Sequence, residues 1–164
     1  MRRIISTTLA FMCAISAFAQ MQPGFKDFDV AAGLASSNPV YLAEFNGKLY
    51  FYASDGSVGK EPYYVQGSGT PVLIKDVNPG PGSSVSGDYL RPSAFLNGVY
   101  YFTSDNGFTG QEIYKYDGSN PPTIAFDPNF GADSSKPDNY TVLNGKLYYS
   151  AITTGEGREL WVFD

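Results

Sequence analysis

Hydrophobic and aromatic positions fall into short runs separated by polar, glycine-rich turns, which is typical of β-structure. Asn46-Gly47 separates the first two runs, and both residues tolerate the positive φ that a type I′ hairpin turn requires. Asp55-Gly56 and Gly67-Ser68-Gly69 predict the next two turns. The pattern therefore predicts four strands in about fifty residues. They are Val40–Phe45, Lys48–Ala53, Glu61–Gln66 and Pro71–Asp76.

The second predicted strand is apolar on both of its faces. Leu49, Phe51 and Ala53 alternate with Tyr50 and Tyr52, so neither face carries the polar side chains that a solvated surface needs. A strand buried on both sides is expected between two neighbouring layers.

Two motifs recur three times in a fixed register. The asparagine-glycine hairpin motif stands at Asn46-Gly47, Asn97-Gly98 and Asn144-Gly145, so its copies are 51 and 47 residues apart. A Gly-x-Glu-x-aromatic motif begins 12 residues after each hairpin glycine. Its copies comprise Gly59, Glu61 and Tyr63, then Gly110, Glu112 and Tyr114, and finally Gly157, Glu159 and Trp161. These residues are interpreted as a structural repeat motif.

The register continues through the segments between the motifs. Ile74–Gly80 with Ser83-Ser84 matches Ala125–Gly131 with Ser134-Ser135, and the difference between the two periods falls between Ser84 and Asn97. Residues near the N-terminus match at an offset of 98: Phe28, Asp29, Gly33, Ser36, Ser37 and Pro39 with Phe126, Asp127, Gly131, Ser134, Ser135 and Pro137. The predicted domain covers residues 20–164, with units at about 28–76, 77–127 and 128–164.

The predicted fold is all-β, with about three four-stranded repeat units that act as blades of a partial β-propeller. A β-sandwich and an open β-solenoid are the alternatives. Gln22–Val30 could supply the fourth strand of the last unit. Propellers typically have four to eight blades, so we expect either a fragment of a longer protein or an assembly of several chains.

On these motifs the sequence resembles the ELWxxDGT repeat family of bacterial secreted and surface proteins. The resemblance rests on Gly157–Asp164, Ile74–Gly80, Ser83-Ser84 and Asn46–Phe51, in that cyclic order. Trp161 is replaced by Tyr63 and Tyr114 in the other copies, and the DGT turn is altered. The resemblance implies propeller-like repeats and a cell-surface location. Some family members carry a C-terminal domain for type IX secretion, of which this sequence shows no sign.

The first nineteen residues are typical of a secretory signal peptide. Arg2 and Arg3 precede an apolar run from Ile4 to Phe18, and cleavage is expected after Ala19. The run is shorter than a membrane span requires. We therefore predict an exported chain, extracellular or at the cell surface, with no membrane span after cleavage.

Composition excludes several kinds of chemistry. The 164 residues include no histidine, and Cys13 is the single cysteine. Histidine-dependent triads, internal disulfides and thiolate metal clusters are therefore excluded. A net charge of −5 argues against nucleic acid as a partner. No cofactor is predicted. Calcium is a weak alternative, since Asp55, Asp105 and Asp117 lie in glycine-rich turns but offer few ligands each and are better suited to Asx turns.

The acidic and aromatic residues divide into structural positions and contact candidates. Glu61, Glu112 and Glu159 recur in every unit, whereas catalysis needs carboxylates in different environments, so a structural role is expected for them. Most tyrosines on strands are expected in the core. The segments that differ between units suit ligand contact better, and they contain Tyr89, Phe108 and Phe130.

These observations predict an exported, non-catalytic binding or adhesion module. Its partners would be a glycan or protein ligand at the cell surface, or further repeats or chains that complete a ring. The alternative is a propeller-type enzyme acting on polysaccharide, with catalytic residues in loops or beyond residue 164.

Overall fold

The computed structural model describes residues 27–31 and 35–164. These residues form strands, turns and loops without helix, and none of them belongs to a helix long and apolar enough to cross a membrane. The predicted signal peptide and Gly33 lie outside the described residues. The strands are β1 (Val40–Phe45), β2 (Lys48–Ala53), β3 (Glu61–Gln66), β4 (Val72–Leu73), β5 (Ser93–Leu96), β6 (Val99–Asp105), β7 (Gln111–Tyr116), β8 (Thr123–Phe126), β9 (Asp138–Leu143), β10 (Lys146–Thr153) and β11 (Gly157–Phe163).

The strands form three antiparallel sheets, β1-β2-β3-β4, β5-β6-β7-β8 and β9-β10-β11. The predicted bounds of β1, β2 and β3 are confirmed. The fourth strand is shorter than predicted, because only Val72 and Leu73 pair with β3. The third sheet has three strands among the described residues. Of Gln22–Val30, which could have supplied a fourth, residues 27–30 are described and form no strand, and the rest lie outside the described residues.

The asparagine-glycine pairs form the same tight turn in all three sheets. Asn46, Asn97 and Asn144 have φ values of 50°, 50° and 51°, and the glycine after each is also at positive φ. Each pair joins two antiparallel strands with the expected register, as in Phe45↔Lys48. The hairpin prediction is therefore confirmed at each of these positions.

The sheets stack in chain order around two aromatic cores. The first core lies between the first two sheets and contains Tyr50, Tyr52, Tyr100 and Phe102. The second lies between the second and third sheets and contains Tyr101, Ile113, Tyr140, Leu147 and Tyr149. The strands β1, β5 and β9 come closest to one another, because β5 contacts both of the others.

Strand β2 is buried on both faces, as predicted. Tyr50 and Tyr52 face the second sheet, whereas Phe51 and Ala53 face the other way. That outer face is covered by Phe28 and Val30, which precede β1 and carry no strand of their own. The segment before β1 therefore packs on the outer face of the first sheet.

Candidate functional site

The glutamates of the first two sheets are buried and hydrogen-bonded to backbone. Glu61 is fully buried, and its carboxylate accepts the backbone N–H groups of Val77 at 2.7 Å and Ser84 at 3.0 Å. Burial raises the pKa of Glu61 to about 7, although these hydrogen bonds oppose the shift. This carboxylate fixes the segment that leads from the first sheet to the second.

Glu112 occupies the same position in the second sheet but has different partners. Its carboxylate accepts the backbone N–H of Ser135 at 2.8 Å and a short hydrogen bond from the Ser135 hydroxyl. Pro128 stands where Val77 stands in the first sheet, and proline has no N–H to donate. Burial raises the pKa of Glu112 to about 7, and the neighbouring Asp127 carboxyl adds to the shift.

Paired serines complete the contact beside each buried glutamate. The Ser83 hydroxyl accepts the Lys60 N–H, and the Ser84 hydroxyl donates to the Lys60 carbonyl. Ser134 and Ser135 make the same two bonds with Gln111. We call each set of bonds a serine clasp.

Glycine is required where the clasp approaches the strand. A Cβ on Gly59 would lie 2.1 Å from the Gly82 carbonyl oxygen, and a Cβ on Gly110 would lie 2.8 Å from the Ser134 Cα. Neither backbone atom can move away without breaking the clasp. The recurrence of Gly59 and Gly110 therefore has a steric cause.

The third copy of the motif is open. Glu159 is exposed, and a Cβ on Gly157 would meet nothing within 4 Å. Trp161 is half-buried, and its indole N–H has no partner among the described residues. The residues of this motif therefore lie on a strand like their counterparts, but no serine clasp forms on them among the described residues.

The aspartates in the turns bind backbone N–H groups. Asp55 accepts from Ser57 and Val58, Asp105 from Gly107, and Asp117 from Ser119 and Asn120. The side-chain amide of Asn120 also donates to Asp117, and this bond, together with the backbone N–H bonds from Asn120 and Ser119, lowers the pKa of Asp117 to about 2. The predicted Asx turns are confirmed. In residues 27–31 and 35–164, no group of three or more acidic, histidine or cysteine side chains is placed to hold a metal ion.

The aromatic candidates separate into core and surface. Tyr50, Tyr63, Tyr101 and Tyr114 are buried as expected, and Tyr148 is half-buried. Phe108 and Phe130 are 79% and 95% exposed, on different loops. Tyr89 is half-buried and lines a cavity that neither phenylalanine reaches. The structure therefore does not bring the three predicted contact residues together.

The cavity lined by Tyr89 has a volume of about 470 Å³ and lies where the second and third sheets meet. Its wall combines carboxylates, cationic side chains, hydroxyls and an amide. They include Asp88, Asp105, Gln111, Lys136, Asp138 and Arg158. Its volume falls within the range usual for small-molecule sites.

The loop of residues 86–91 forms one side of this cavity and is held by all three sheets. From the first sheet, the Tyr41 hydroxyl donates to the Gly87 carbonyl at 2.7 Å and accepts the Tyr89 N–H at 3.3 Å. From the second, the Gln111 amide donates to Ser86 and accepts from the Tyr89 hydroxyl.

The third sheet holds the other end of the same loop. The Asp138 carboxylate accepts the backbone N–H groups of Leu90 and Arg91, at distances down to 2.8 Å, and the Tyr140 N–H donates to the Arg91 carbonyl at 3.0 Å. The loop falls where the sequence periods differ, between Ser84 and Asn97. The loop that makes the first period longer than the second is therefore fixed at the junction of three sheets.

Sequence reasoning missed most residues that build the cavity. Arg158 lies next to a predicted motif residue, and its guanidinium donates to the Lys136 carbonyl and to Ser150. Tyr41 lies in a predicted strand, but its φ of 57° marks a bulge that turns it toward the loop. Only the change of period near Tyr89 signalled this region.

No family model matches the chain. No curated protein and no solved structure matches it either.

Proposed function

We propose that this chain is an exported, non-catalytic repeat protein that binds glycan at the cell surface through the cavity beside Tyr89. The observation that carries the proposal is the loop of residues 86–91, held by side chains from three sheets. A loop fixed before binding loses little conformational entropy when a ligand arrives. The many hydrogen bonds to a short loop therefore favour a binding role.

The cavity wall favours a ligand rich in hydroxyl groups. Asp88, Lys136 and Arg158 are exposed at the cavity, so both acceptors and donors face a bound molecule. Each sugar hydroxyl can donate and accept at once. A mixed-charge wall suits such a ligand better than it suits a phosphate or a strongly charged peptide, which needs charge of one sign.

The setting is a propeller-like repeat protein. The asparagine-glycine turns occupy matching places in all three sheets, and the clasps of Glu61 and Glu112 occupy matching places in the first two. Stacked sheets whose β1, β5 and β9 strands lie closest together support a partial propeller over a two-layer sandwich. The resemblance to the ELWxxDGT repeat family supports the same arrangement, and the signal peptide predicted for residues 1–19 supports export.

Binding to a panel of neutral and acidic hexasaccharides, measured by titration calorimetry, tests the proposal. Asp88→Ala and Lys136→Ala remove exposed groups of the cavity, and we expect each to weaken binding of the best hexasaccharide by about tenfold. Lys75→Ala is the matched control, because Lys75 is exposed and lies away from this cavity. Binding by none of the panel, or equal loss in the control, would contradict the proposal.

The alternative function, polysaccharide cleavage, is favoured by one observation. Asp88 and Asp105 both line the cavity, and glycoside hydrolysis uses two carboxyl groups. Release of new reducing ends from the hexasaccharides, abolished by Asp88→Asn, would establish the enzyme. Binding without release of reducing ends would support the binding module.

A further inference from the structure

Two complete serine clasps show what a Gly-x-Glu strand binds. In the first, Glu61 accepts Val77 N–H and Ser84 N–H while Ser83 and Ser84 bond the backbone of Lys60. In the second, Glu112 accepts the Ser135 N–H, while Ser134 and Ser135 bond the backbone of Gln111. In both, the clasping segment follows its own sheet and begins the next one.

One half of a third clasp stands on β11 without its partner. Glu159 and the backbone of Arg158 occupy the positions of Glu61 and Lys60. Glu159 is exposed, and the space beside Gly157 that Ser134 fills at Gly110 is open. The same strand leaves Leu160 76% exposed, whereas its counterpart Ile113 is fully buried against the next sheet.

The complementary half stands before β1. Asp29, Val30, Ser36 and Ser37 match the clasping residues of the second sheet, and they line a cavity of about 290 Å³. The Ser37 carbonyl accepts the Ser54 N–H at 2.9 Å, as the Ser84 carbonyl accepts the Asp105 N–H at 2.7 Å. The segment before β1 is therefore hydrogen-bonded to the first sheet, as the other clasping segments are to the sheets that follow them.

The side of this segment that would face a glutamate is unused. Within the described ranges, the Val30 N–H and the N–H and hydroxyl of Ser37 have no hydrogen-bond partner, and the Ser36 hydroxyl donates only to Asn38. Their counterparts, Val77 N–H and Ser84 N–H, both bind Glu61. We call Asp29, Val30, Ser36 and Ser37 the empty socket.

We infer that Glu159 of one chain binds the empty socket of a second copy, head to tail. Each chain carries both halves, on the first and the third sheet, so two copies can make two identical clasps. A head-to-tail contact that repeats through a closing rotation forms a ring, and two copies supply six sheets, within the four to eight blades of propellers.

The outer faces of the end sheets have surfaces that suit this contact. An apolar groove of about 140 Å³ on the first sheet is lined by Phe28, Leu42, Leu49, Phe51 and Val65, among others. On the third sheet, Leu160 and Val162 are 76% and 53% exposed. Seating Glu159 in the socket would place this apolar strand against that groove, as Ile113 is placed against the third sheet. The inference does not depend on glycan binding.

Sedimentation equilibrium of the purified chain tests it. We expect twice the chain mass at about 0.1 mM protein, because a dimer with a dissociation constant below that concentration is well populated there. Glu159→Ala and the double variant Ser36→Ala/Ser37→Ala are each expected to weaken association at least tenfold. Glu156→Ala is the matched control, because it removes another exposed carboxylate three residues away.

Mixing the variants separates a head-to-tail contact from other dimers. A Glu159→Ala chain still offers its socket, and a Ser36→Ala/Ser37→Ala chain still offers its glutamate, so the mixture retains one intact clasp and should associate more tightly than either variant alone. A monomer at about 0.1 mM would overturn the inference, and so would a dimer that both variants leave unchanged. The monomer result would direct the search for the occupant to a further repeat of a longer chain.

Discussion

The buried glutamates predict that the folded protein is most stable in mild acid. Burial raises the pKa values of Glu61 and Glu112 from the ordinary 4.5 to about 7. A folded-state pKa above the unfolded one means that the folded chain binds more protons. The stability contributed by these groups is therefore fully present below about pH 4.5 and is lost as the pH rises through about 7.

The size of the loss follows from the shift. A rise in the pKa from 4.5 to about 7 corresponds to about 3 kcal/mol for each carboxyl, since a tenfold change in proton affinity corresponds to about 1.36 kcal/mol. Asp117 has the opposite sign, because its pKa is lowered to about 2 by hydrogen bonds from Asn120 and Ser119. Its contribution is present above its ordinary pKa and is lost as the pH falls toward 2. The two trends place maximum stability at about pH 4 to 5.

Urea unfolding at pH 5 and pH 8, at one protein concentration, measures the effect. We expect the free energy of unfolding to be lower at pH 8 by several kcal/mol, up to about 5 kcal/mol if both carboxyls contribute in full, because a small part of the stabilisation is already lost at pH 5. A free energy of unfolding that stays constant or rises between pH 5 and pH 8 would refute the assignment of raised pKa values to these two groups.

Replacing each glutamate with glutamine distinguishes the two sites. In Glu112→Gln, the amide oxygen can accept the Ser135 N–H while the NH₂ group donates to the Ser135 hydroxyl and to Asp127. This variant should match the parent at pH 5 and be more stable at pH 8, with about half of the pH dependence removed.

The same change at Glu61 should be destabilising at both pH values. There the carboxylate accepts two backbone N–H groups, from Val77 and Ser84, so the glutamine NH₂ must face one of them. An unpaired buried donor costs about 1 to 3 kcal/mol. Glu156→Gln, at an exposed position, is the control and should leave both the stability and its pH dependence unchanged. Equal behaviour of Glu61→Gln and Glu112→Gln would contradict the bonding described here.

Three further changes test other parts of the fold. Tyr52→Phe removes a buried hydrogen bond of 2.6 Å from the Tyr52 hydroxyl to the Thr103 carbonyl. It should lower the free energy of unfolding in urea by about 1 to 2 kcal/mol. Tyr148→Phe, at a half-buried position, should lower it by less. Gly59→Ala forces a Cβ to within 2.1 Å of the Gly82 carbonyl oxygen and should lower the free energy of unfolding by about 2 to 3 kcal/mol. Gly118→Ala is the control and should cost less, because only its positive φ is strained. Equal losses would show that the segment around Gly82 can move away from the added Cβ. Tyr41→Phe frees the Tyr89 N–H and should speed its hydrogen exchange about tenfold, for a loss of about 1.4 kcal/mol, while leaving the Tyr140 N–H unchanged.

The strands were predictable because they depend on local chemistry. Asparagine followed by glycine selects one turn type, and that turn fixes the register of the residues on both sides of it. The aromatic alternation on β2 then predicts two buried faces. The shortened β4 was not predictable, because the pairing of Val72 and Leu73 ends where the chain leaves the sheet to form the first clasp.

The cavity was less predictable because it is built from residues far apart in the sequence. Asp138 is the first residue of β9, and its carboxylate binds the backbone N–H groups of Leu90 and Arg91, which are 48 and 47 residues away in the sequence. The change of period near Tyr89 located the loop but not the residues that hold it. Sequence repetition therefore indicates the scaffold, and the departure from repetition indicates the site.

The glutamates show how one motif can have three different environments. Position alone predicts the same role for all of them, yet the carboxylate of Glu61 binds two backbone N–H groups, Glu112 binds one N–H and a hydroxyl beside another carboxyl, and Glu159 is exposed. The differences come from the segment that follows each strand: Val77 offers an N–H, Pro128 cannot, and β11 has no clasping segment among the described residues. The chemistry of a repeated carboxylate is therefore set by its neighbour in the stack, which is why Glu159 is the one of the three that a second molecule can reach.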